Sequence, residues 1–421
     1  MRVEGVNDAD ATELAVNGGK PVRTEAYPRW PHYGTEELEV AAEVLRSGRF
    51  SCLSGDRVRE FELAWAAYQG CKHAIAVSTG TAAIHAALIA ASVGPGDDVV
   101  VTPHSFVGSV TPVLHAGAKP VFADIDQRTF NLTAASIAAV LTPNTKAVIT
   151  VHLNGHPADP EATADLCAER GLTLIEDCAQ AHGARWGGRL VGTFGQIGTY
   201  SFWEDKIMTT GGEGGMIVTD DDAIARRARM AINHGEAPTD ANYYSGERLY
   251  LHEFIGWNYR MTELAGAVGR VQLSRLDSYL ERRREVAALL TDAIADAPGI
   301  IPPFVDERAT HSFYKYIIQL DREVINVPVS EFVAALQAEG IPATRRYPTS
   351  IHQQPIFVER RGFGRTNWPF APDEPLPAPM PCAEAVARDA IQVTVVNPVV
   401  SNRDIHDAAA AICKVAAGLA R

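Results

Sequence analysis

The chain has 421 residues, of which 46% are hydrophobic and 21% are charged, and its formal net charge is −13. This acidic balance argues against general nucleic-acid binding, because such binding needs a basic face. It leaves room for a small anionic ligand, since a few arginines and backbone N–H groups can hold a phosphate inside an acidic protein. We therefore predict no nucleic-acid partner.

Cysteine usage and hydropathy exclude further classes. The six cysteines are scattered and form no C-x-x-C pair, so we predict no metal site, no iron–sulfur cluster and no disulfide framework. The N-terminus lacks the apolar run of a signal peptide, and no apolar stretch reaches the ~18–20 residues of a membrane span. The prediction is a cytoplasmic protein with no membrane partner.

The chain begins with an arm and continues with alternating elements. Residues 1–10 are polar and acidic, which predicts disorder, and residues 20–33 contain three prolines, which predicts an extended segment lying on another part of the protein. From about residue 73, helical patterns alternate with short apolar runs. These runs predict strands at 74–78, 98–102, 120–123, 147–151, 172–176, 199–202 and 216–219.

The helices between these strands predict the architecture. One is well defined, with Asp159 as N-cap, Pro160 at the first position and Gly171 past the end. Such alternation is typical of βαβ units, so we predict an α/β fold with a mainly parallel sheet between helices. A helical pattern from Thr262 to about Asp296 would join a large domain to a smaller α+β one. The predicted divisions are an arm at 1–35, a large domain at 36–275 and a C-terminal domain at 276–421.

Polar residues stand where several predicted strands end. Asp177 follows a buried strand, and the carboxyl ends of parallel strands form the ligand crevice of such sheets. The alternative is an aspartate that caps the next turn. Gln180 lies three residues further on. Lys206 stands between a strand and a loop with four glycines, where backbone can pack closely around a flat ligand, although most lysines are surface residues.

A strand-to-helix junction and an aromatic complete the candidate set. In Ser-Thr-Gly-Thr, Gly80 permits close approach and Thr81 adds a hydroxyl at a helix N-terminus, which suits a phosphate; simple helix capping is the alternative. Phe106 follows another strand and suits stacking on a ring, although it suits the core equally. An amine, a carboxylate, a phosphate turn and a stacking surface are the groups that pyridoxal-phosphate (PLP) chemistry requires.

Motifs along nearly the whole chain resemble one family. They are Ser-Thr-Gly-Thr-Ala-Ala, the Phe after Pro-His-Ser, Glu-Asp-Cys-Ala-Gln-Ala-His-Gly, Ser-Phe-(three residues)-Lys with a Gly-Glu-Gly-Gly loop, and Asn-Tyr-Arg-Met. In this order the chain resembles the DegT/DnrJ/EryC1/StrS family of PLP-dependent sugar aminotransferases. The resemblance implies the fold type I architecture, with a seven-stranded-type sheet, and a homodimer with shared active sites. An extra glycine, Gly211 before Gly212, is a departure that predicts a slightly different loop.

The resemblance also implies residue roles. Lys206 would form a Schiff base with PLP, Asp177 would contact its pyridine nitrogen, Gln180 its ring oxygen and Ser201 its phosphate, while Phe106 would stack on the ring. Asn258 would reach the phosphate in the neighbouring subunit. The substrate side would include Arg345, Arg346, Tyr347 and His352. A solvated basic edge is the alternative for the two arginines, which otherwise suit a diphosphate or a carboxylate.

The implied reaction moves an amino group from glutamate or glutamine to a keto sugar. A nucleotide-linked 4-keto-6-deoxy hexose is the favoured acceptor, because the loop Asp-Lys-Ile-Met-Thr-Thr resembles nucleotide-sugar members. The alternative is a cyclitol ketone of the inosose type, because the segment Asn17 to Thr24 resembles the arm of cyclitol members. A non-catalytic regulator on the same fold is a second alternative, since fold does not fix function.

Overall fold

The computed structural model describes residues 13–237, 250–371 and 375–420, so the predicted disorder of residues 1–10 lies outside the described residues. The strands are β1 His73–Val77, β2 Asp98–Val101, β3 Lys119–Phe122, β4 Thr145–Val151, β5 Thr173–Asp177, β6 Arg185–Trp186, β7 Arg189–Leu190, β8 Ile197–Ser201, β9 Gly215–Thr219, β10 Ile300–Ile301, β11 Ala309–Thr310, β12 Tyr316–Leu320, β13 Ala343–Arg345 and β14 Ala390–Val393. The helices are α1 Thr35–Ser47, α2 Arg57–Gln69, α3 Gly80–Ala90, α4 Thr111–His115, α5 Ala134–Ala138, α6 Pro160–Arg170, α7 Asp222–Ala231, α8 Glu263–Ala293, α9 Val329–Ala338, α10 Pro355–Val358, α11 Pro381–Asp389 and α12 Asn402–Leu419.

A mainly parallel sheet forms the centre of the protein. Within the described residues, seven strands pair in the order β1-β9-β8-β5-β4-β2-β3. Only β9 runs against its neighbours, pairing antiparallel with both β1 and β8. The strands are apolar and mostly buried, as expected for a sheet covered by helices on both faces. The predicted α/β fold with a mainly parallel sheet is confirmed.

Helix α6 is the helix that the sequence predicts from its terminal residues, and these residues explain where it begins and ends. The Asp159 side chain accepts a hydrogen bond from the Ala162 N–H, and Pro160 occupies the first turn. Gly171 ends the helix with a φ of 65°, a left-handed conformation that favours glycine. The chain then enters β5 and returns to the sheet beside β4. This βαβ unit positions Asp177 at the carboxyl end of β5.

Helix α8 belongs to two hydrophobic cores. Its Leu276 and Leu280 pack with the core around α2 and β8, whereas Val286 and Leu290 pack in the C-terminal core. In the C-terminal core an antiparallel sheet, β10-β12-β14-β13, packs with α9 and α12. The side chains of α8 change cores between Leu280 and Val286, and the boundary at 275/276 stays a prediction.

The antiparallel sheet with α9 and α12 is called the C-terminal layer here. The N-terminal arm connects this layer to the central sheet. The Val22 and Arg23 N–H groups donate to the side chain and the carbonyl of Glu339, respectively. Further along, the Trp30 indole donates to the carbonyl oxygen of Lys206 at 2.9 Å. The predicted arm therefore lies on both layers. None of the helices in the described ranges has the length and apolarity needed to cross a membrane.

Candidate active site

A cavity of about 660 Å³ opens at the carboxyl ends of the central strands. It is lined by residues that follow β1, β2, β5 and β8 and by residues of the C-terminal layer. The structure thus brings together most of the sequence-predicted site residues: Gly80, Thr81, Phe106, Asp177, Gln180, Ser201, Lys206, Arg346 and Tyr347.

One end of the cavity is the N-terminus of α3. The Thr79 side chain caps this helix by accepting from the Ala82 N–H at 3.0 Å. A Cβ on Gly80 would lie 2.6 Å from the Cβ of Ser201, so only glycine lets Ser201 approach the helix this closely. The helix N–H groups and the hydroxyls of Thr81 and Ser201 form a site suited to a phosphate.

Asp177 is the buried carboxylate of the cavity. Its side chain accepts hydrogen bonds from the Ser109 hydroxyl at 2.7 Å and from the Ala179 N–H at 3.0 Å. Burial raises the pKa of Asp177, and these two hydrogen bonds and the nearby Lys206 oppose the rise. A cationic group in the cavity would compensate the buried charge, as a protonated ring nitrogen does.

Glu176 precedes Asp177 in β5 and holds the loop that follows β7. It accepts from the N–H groups of Gly192, Phe194 and Gly195 and pairs with His152 at 3.0 Å. His152, Glu176 and Cys178 come close enough to suit a metal ion. The His152 and Glu176 side chains are occupied by these hydrogen bonds, so we interpret the group as the anchor of the loop after β6 and β7.

Lys206 is the amine of the cavity. Burial lowers its pKa to about 7, Asp177 opposes the shift, and the positive charges of Arg346 and Lys315 add to it. Its Nζ lies 4.8 Å from the centre of the Tyr314 ring. At neutral pH a large fraction of this amine is therefore unprotonated, which is the form that a nucleophile or a general base requires.

Gln180, Arg346 and Tyr347 form one hydrogen-bonded group. Gln180 donates to the Tyr347 hydroxyl and accepts from Arg346, each at 3.2 Å. The Arg346 guanidinium also donates to Gln392 and stacks 4.0 Å from the centre of the Tyr347 ring. These contacts hold a cation in the wall of the cavity, where it can bind a carboxylate.

The cavity residues fit PLP on three observations. Gly80 has no Cβ, and Ser201 packs where that atom would be, so its hydroxyl lies at the helix N-terminus, as a phosphate site requires. Among the described residues, no cation contacts the buried carboxylate of Asp177 directly, which suits a protonated pyridine nitrogen. The Lys206 amine has the lowered pKa of a Schiff-base lysine. Phe106 also lines the cavity, with an exposed ring available for stacking.

Three predicted residues lie outside the lining of this cavity. Arg345 is exposed at the end of β13. His352 is buried and pairs with Glu384 at 3.2 Å. Asn258 is exposed on a segment that is attached to the end of β1 by the Ser78 N–H, which donates to the Tyr259 carbonyl. The structure therefore does not join Arg345 or His352 to the cavity of Arg346 and Tyr347.

Several lining residues were missed by the sequence analysis. Ser109 holds Asp177, while Asp205, Tyr314 and Lys315 surround Lys206. A signal existed for Lys315, because it is a charged residue inside the otherwise apolar run Phe-Tyr-Lys-Tyr-Ile-Ile. No comparable signal marked Ser109, since its importance depends on the fold that brings it to Asp177.

Comparison with known proteins places this geometry in a family. Residues 31–375 match the DegT/DnrJ/EryC1/StrS aminotransferase family. The chain belongs to that family. The match covers most of the chain and both layers of the fold, so the predicted family and its enzyme class, aminotransferase, are confirmed.

Individual relatives agree with the family assignment. An L-glutamine:2-deoxy-scyllo-inosose aminotransferase of Streptoalloteichus tenebrarius is 35% identical over 96% of this chain and 97% of its own. GDP-perosamine synthase of Caulobacter vibrioides is 39% identical over 74% of this chain and 81% of its own. The structure of S. venezuelae DesV, solved with a ketimine intermediate, is 31% identical with a TM-score of 0.80 and covers 90% of this chain and 94% of its own.

Membership settles the cofactor class and the fold type. DegT/DnrJ/EryC1/StrS aminotransferases are PLP-dependent enzymes of fold type I, as predicted from the sequence. The relatives act on sugars and cyclitols according to their names, so this family member is a sugar aminotransferase in the broad sense.

Proposed function

We propose that this aminotransferase moves an amino group from glutamate or glutamine to the ketone of a nucleotide-linked 4-keto-6-deoxy hexose. The observation that supports it best is a single cavity holding an amine with a pKa of about 7, Lys206, together with a buried carboxylate, Asp177, and a helix N-terminus. The reaction has two halves, in which the amino acid first gives up its nitrogen and the ketone then takes it.

Each cavity residue has a proposed task. PLP, when bound, acts as the electron sink and carries the nitrogen between the two substrates. Lys206 would hold the cofactor and, once its amine is freed, would move the donor's α-proton to the cofactor; in the second half it would move a proton from the cofactor to the carbon of the acceptor's former ketone. Asp177 keeps the ring nitrogen protonated, and Ser201 with the α3 N-terminus binds the phosphate. Arg346 binds the α-carboxylate of the amino donor, since its guanidinium is already oriented by Gln180.

Similarity to a nucleotide-sugar enzyme supports the favoured acceptor. GDP-perosamine synthase is the more identical of the two named relatives, and its name includes a nucleoside diphosphate. The diphosphate was predicted to meet Arg345 or Arg346. Arg345 lies outside the lining of the cavity, and Arg346 is the residue proposed for the donor's α-carboxylate, so neither arginine is proposed for the diphosphate.

A second candidate acceptor is a cyclitol ketone of the inosose type. The observation that favours it is the extent of the match, because similarity to the inosose aminotransferase extends over 96% of this chain. That extent includes most of the arm, whose Trp30 contacts the backbone of Lys206. The match to GDP-perosamine synthase covers 74%.

Inhibition by nucleoside diphosphates should distinguish the two acceptors. For a nucleotide-sugar enzyme we expect thymidine, uridine or guanosine diphosphate to compete with the acceptor at millimolar concentration, because the diphosphate contributes binding energy shared with the substrate. The measurement is the initial rate with each ketone and each diphosphate. No inhibition, together with turnover of 2-deoxy-scyllo-inosose, would contradict the nucleotide sugar and favour the cyclitol as the acceptor.

We further propose a homodimer with shared active sites. Asn258 is exposed near the end of β1, and α1 carries the exposed apolar residues Leu38 and Leu45. Leu38 and Leu45 are seven residues apart and so lie on the same side of the helix, where burial in a partner would remove them from water. The proposed role of Asn258 is to donate to the phosphate in the partner's cavity.

Mixing two inactive variants tests the shared site. Lys206→Ala and Asn258→Ala proteins should each have little activity, and subunit exchange should restore part of it, because one site of the heterodimer combines the intact Lys206 of one subunit with the intact Asn258 of the other. Mixed and unmixed samples are compared by rate and by sedimentation. A fully active monomer would contradict the shared site.

A further inference from the structure

An ion pair in the cavity wall takes no part in the steps described above. The Lys315 ammonium contacts the Asp205 carboxylate, and both residues line the cavity. The Lys315 backbone is held by its N–H, which donates to the carbonyl of Asn154 at 3.2 Å. The side chain of Lys315 is 7% exposed and that of Asp205 is 37% exposed. A buried lysine with one ionic partner is a costly feature, so it calls for an explanation.

The pair lies directly beside the reacting amine. Asp205 immediately precedes Lys206 in the chain. The Nζ atoms of Lys315 and Lys206 lie 4.5 Å and 4.8 Å, respectively, from the centre of the same ring, that of Tyr314. The two Nζ atoms are therefore at most about 9.3 Å apart, and since both residues line one cavity, a substrate ring that reacts near Lys206 lies next to the ion pair.

The pair offers a donor and an acceptor side by side. An ammonium has three N–H groups, and within the described residues the side-chain ammonium of Lys315 donates a hydrogen bond only to Asp205. The carboxylate of Asp205 retains further lone pairs. A hydroxyl group is both a donor and an acceptor, so it matches this arrangement. A substrate carboxylate does not, because Asp205 would repel it, and Arg346 already offers a cation for that group.

Building on the proposed function, we propose that the Lys315–Asp205 pair binds a hydroxyl group on the ring carbon next to the acceptor's ketone. The pair thereby selects polyhydroxylated ketones over deoxygenated ones. Sites built to hydrogen-bond a substrate hydroxyl discriminate strongly against analogues that lack it, because the buried polar groups are left unpaired.

Tuning of the Lys206 amine is the competing explanation. The two charges act on Lys206 in opposite directions, since Lys315 lowers its pKa and Asp205 raises it. Single substitutions of a tuning pair would therefore shift the pH dependence of the donor half-reaction in opposite directions. Tuning alone would leave the discrimination between ketones at the pH plateau unchanged, whereas a pair that also binds the acceptor would lose that discrimination when either residue is replaced.

The test compares two matched pairs of ketones. One is scyllo-inosose and its analogue that lacks the hydroxyls on both carbons next to the ketone, and the other is thymidine-diphospho-4-keto-6-deoxyglucose and its 3-deoxy analogue. The unaltered holoenzyme is assayed with the two ketones of whichever set it accepts. Its kcat/KM should be about 10-fold or more lower for the ketone that lacks the adjacent hydroxyl. In Lys315→Met and Asp205→Asn the difference should fall below about 2-fold, while Lys146→Met, an exposed lysine on β4, should retain it.

Two further measurements separate the outcomes. The donor half-reaction, followed by absorbance with glutamate and glutamine across pH 6–9, should keep its plateau rate within about 2-fold in both variants, even where the pH of half-maximal rate shifts. Calorimetry on borohydride-reduced holoenzyme should show the same loss of ketone binding without turnover. Unchanged discrimination in both variants would overturn the inference alone and leave the tuning of Lys206 as the role of the ion pair. Failure of the unaltered enzyme to accept either pair would overturn the proposed function as well.

Discussion

Replacing Lys206 with alanine is expected to abolish amino transfer, with a loss of about 10⁴-fold or more, because Lys206 is the residue proposed both to hold the cofactor and to move the α-proton. Lys315 is the other lysine of the cavity, but its ammonium is paired with Asp205. Borohydride reduction followed by peptide mapping should place the pyridoxyl label on Lys206. Lys146→Ala, at an exposed position on β4, is the matched control.

The pH dependence of the donor half-reaction provides an independent check on Lys206. Burial lowers the pKa of this amine to about 7, so its unprotonated fraction increases as the pH rises through 7. The rate constant should therefore rise across this range and level off above it. Label on another lysine, or appreciable turnover by Lys206→Ala, would contradict the assignment.

Replacing Asp177 with asparagine is expected to reduce kcat by about 100-fold or more, equivalent to about 2.7 kcal/mol, because the ring nitrogen would lose the charge that keeps it protonated. The amide has nearly the same volume and can still accept from the Ser109 hydroxyl. The measurement is the rate of each half-reaction, and both should fall since both use the electron sink.

The stability of the cofactor-free protein distinguishes this loss from misfolding. Burial raises the pKa of Asp177, so the carboxylate is a destabilising charge when no cation faces it. The melting temperature of cofactor-free Asp177→Asn should equal or exceed that of the unaltered protein. Asp165→Asn, on the exposed side of α6, controls for the substitution itself. Near-normal turnover by Asp177→Asn would show that another carboxylate has this role.

Much of the fold was predictable because its signals are local. In the run 172–177, three apolar residues and one threonine precede two carboxylates, and α6 begins and ends with residues that favour helix termini. These patterns placed Asp177 at a strand end, and the topology of a parallel sheet then brought it near Lys206 and Gly80. The antiparallel direction of β9 was not predictable, because its sequence is as apolar as that of a parallel strand.

The C-terminal side of the cavity was harder to predict. Arg345 and Arg346 are adjacent in the sequence, yet Arg345, the last residue of β13, is exposed, whereas Arg346 just after the strand donates to Gln180. Alternation along a strand assigns neighbours to opposite faces, but the sequence does not say which face meets the cavity. Lys315 and Asp205 meet only after the two layers pack together, so neither sequence neighbourhood indicated their contact.

The arm gives the C-terminal layer a mechanical connection to the peptide group of Lys206. It is fixed at Arg23 by the Glu339 carbonyl and at Trp30 by the Lys206 carbonyl. The stretch between these anchors spans roughly 25 Å at most when fully extended. The length of the arm therefore limits how far α9 can move away from the central sheet. A movement that fully extends the arm would pull on the backbone that positions the reacting amine.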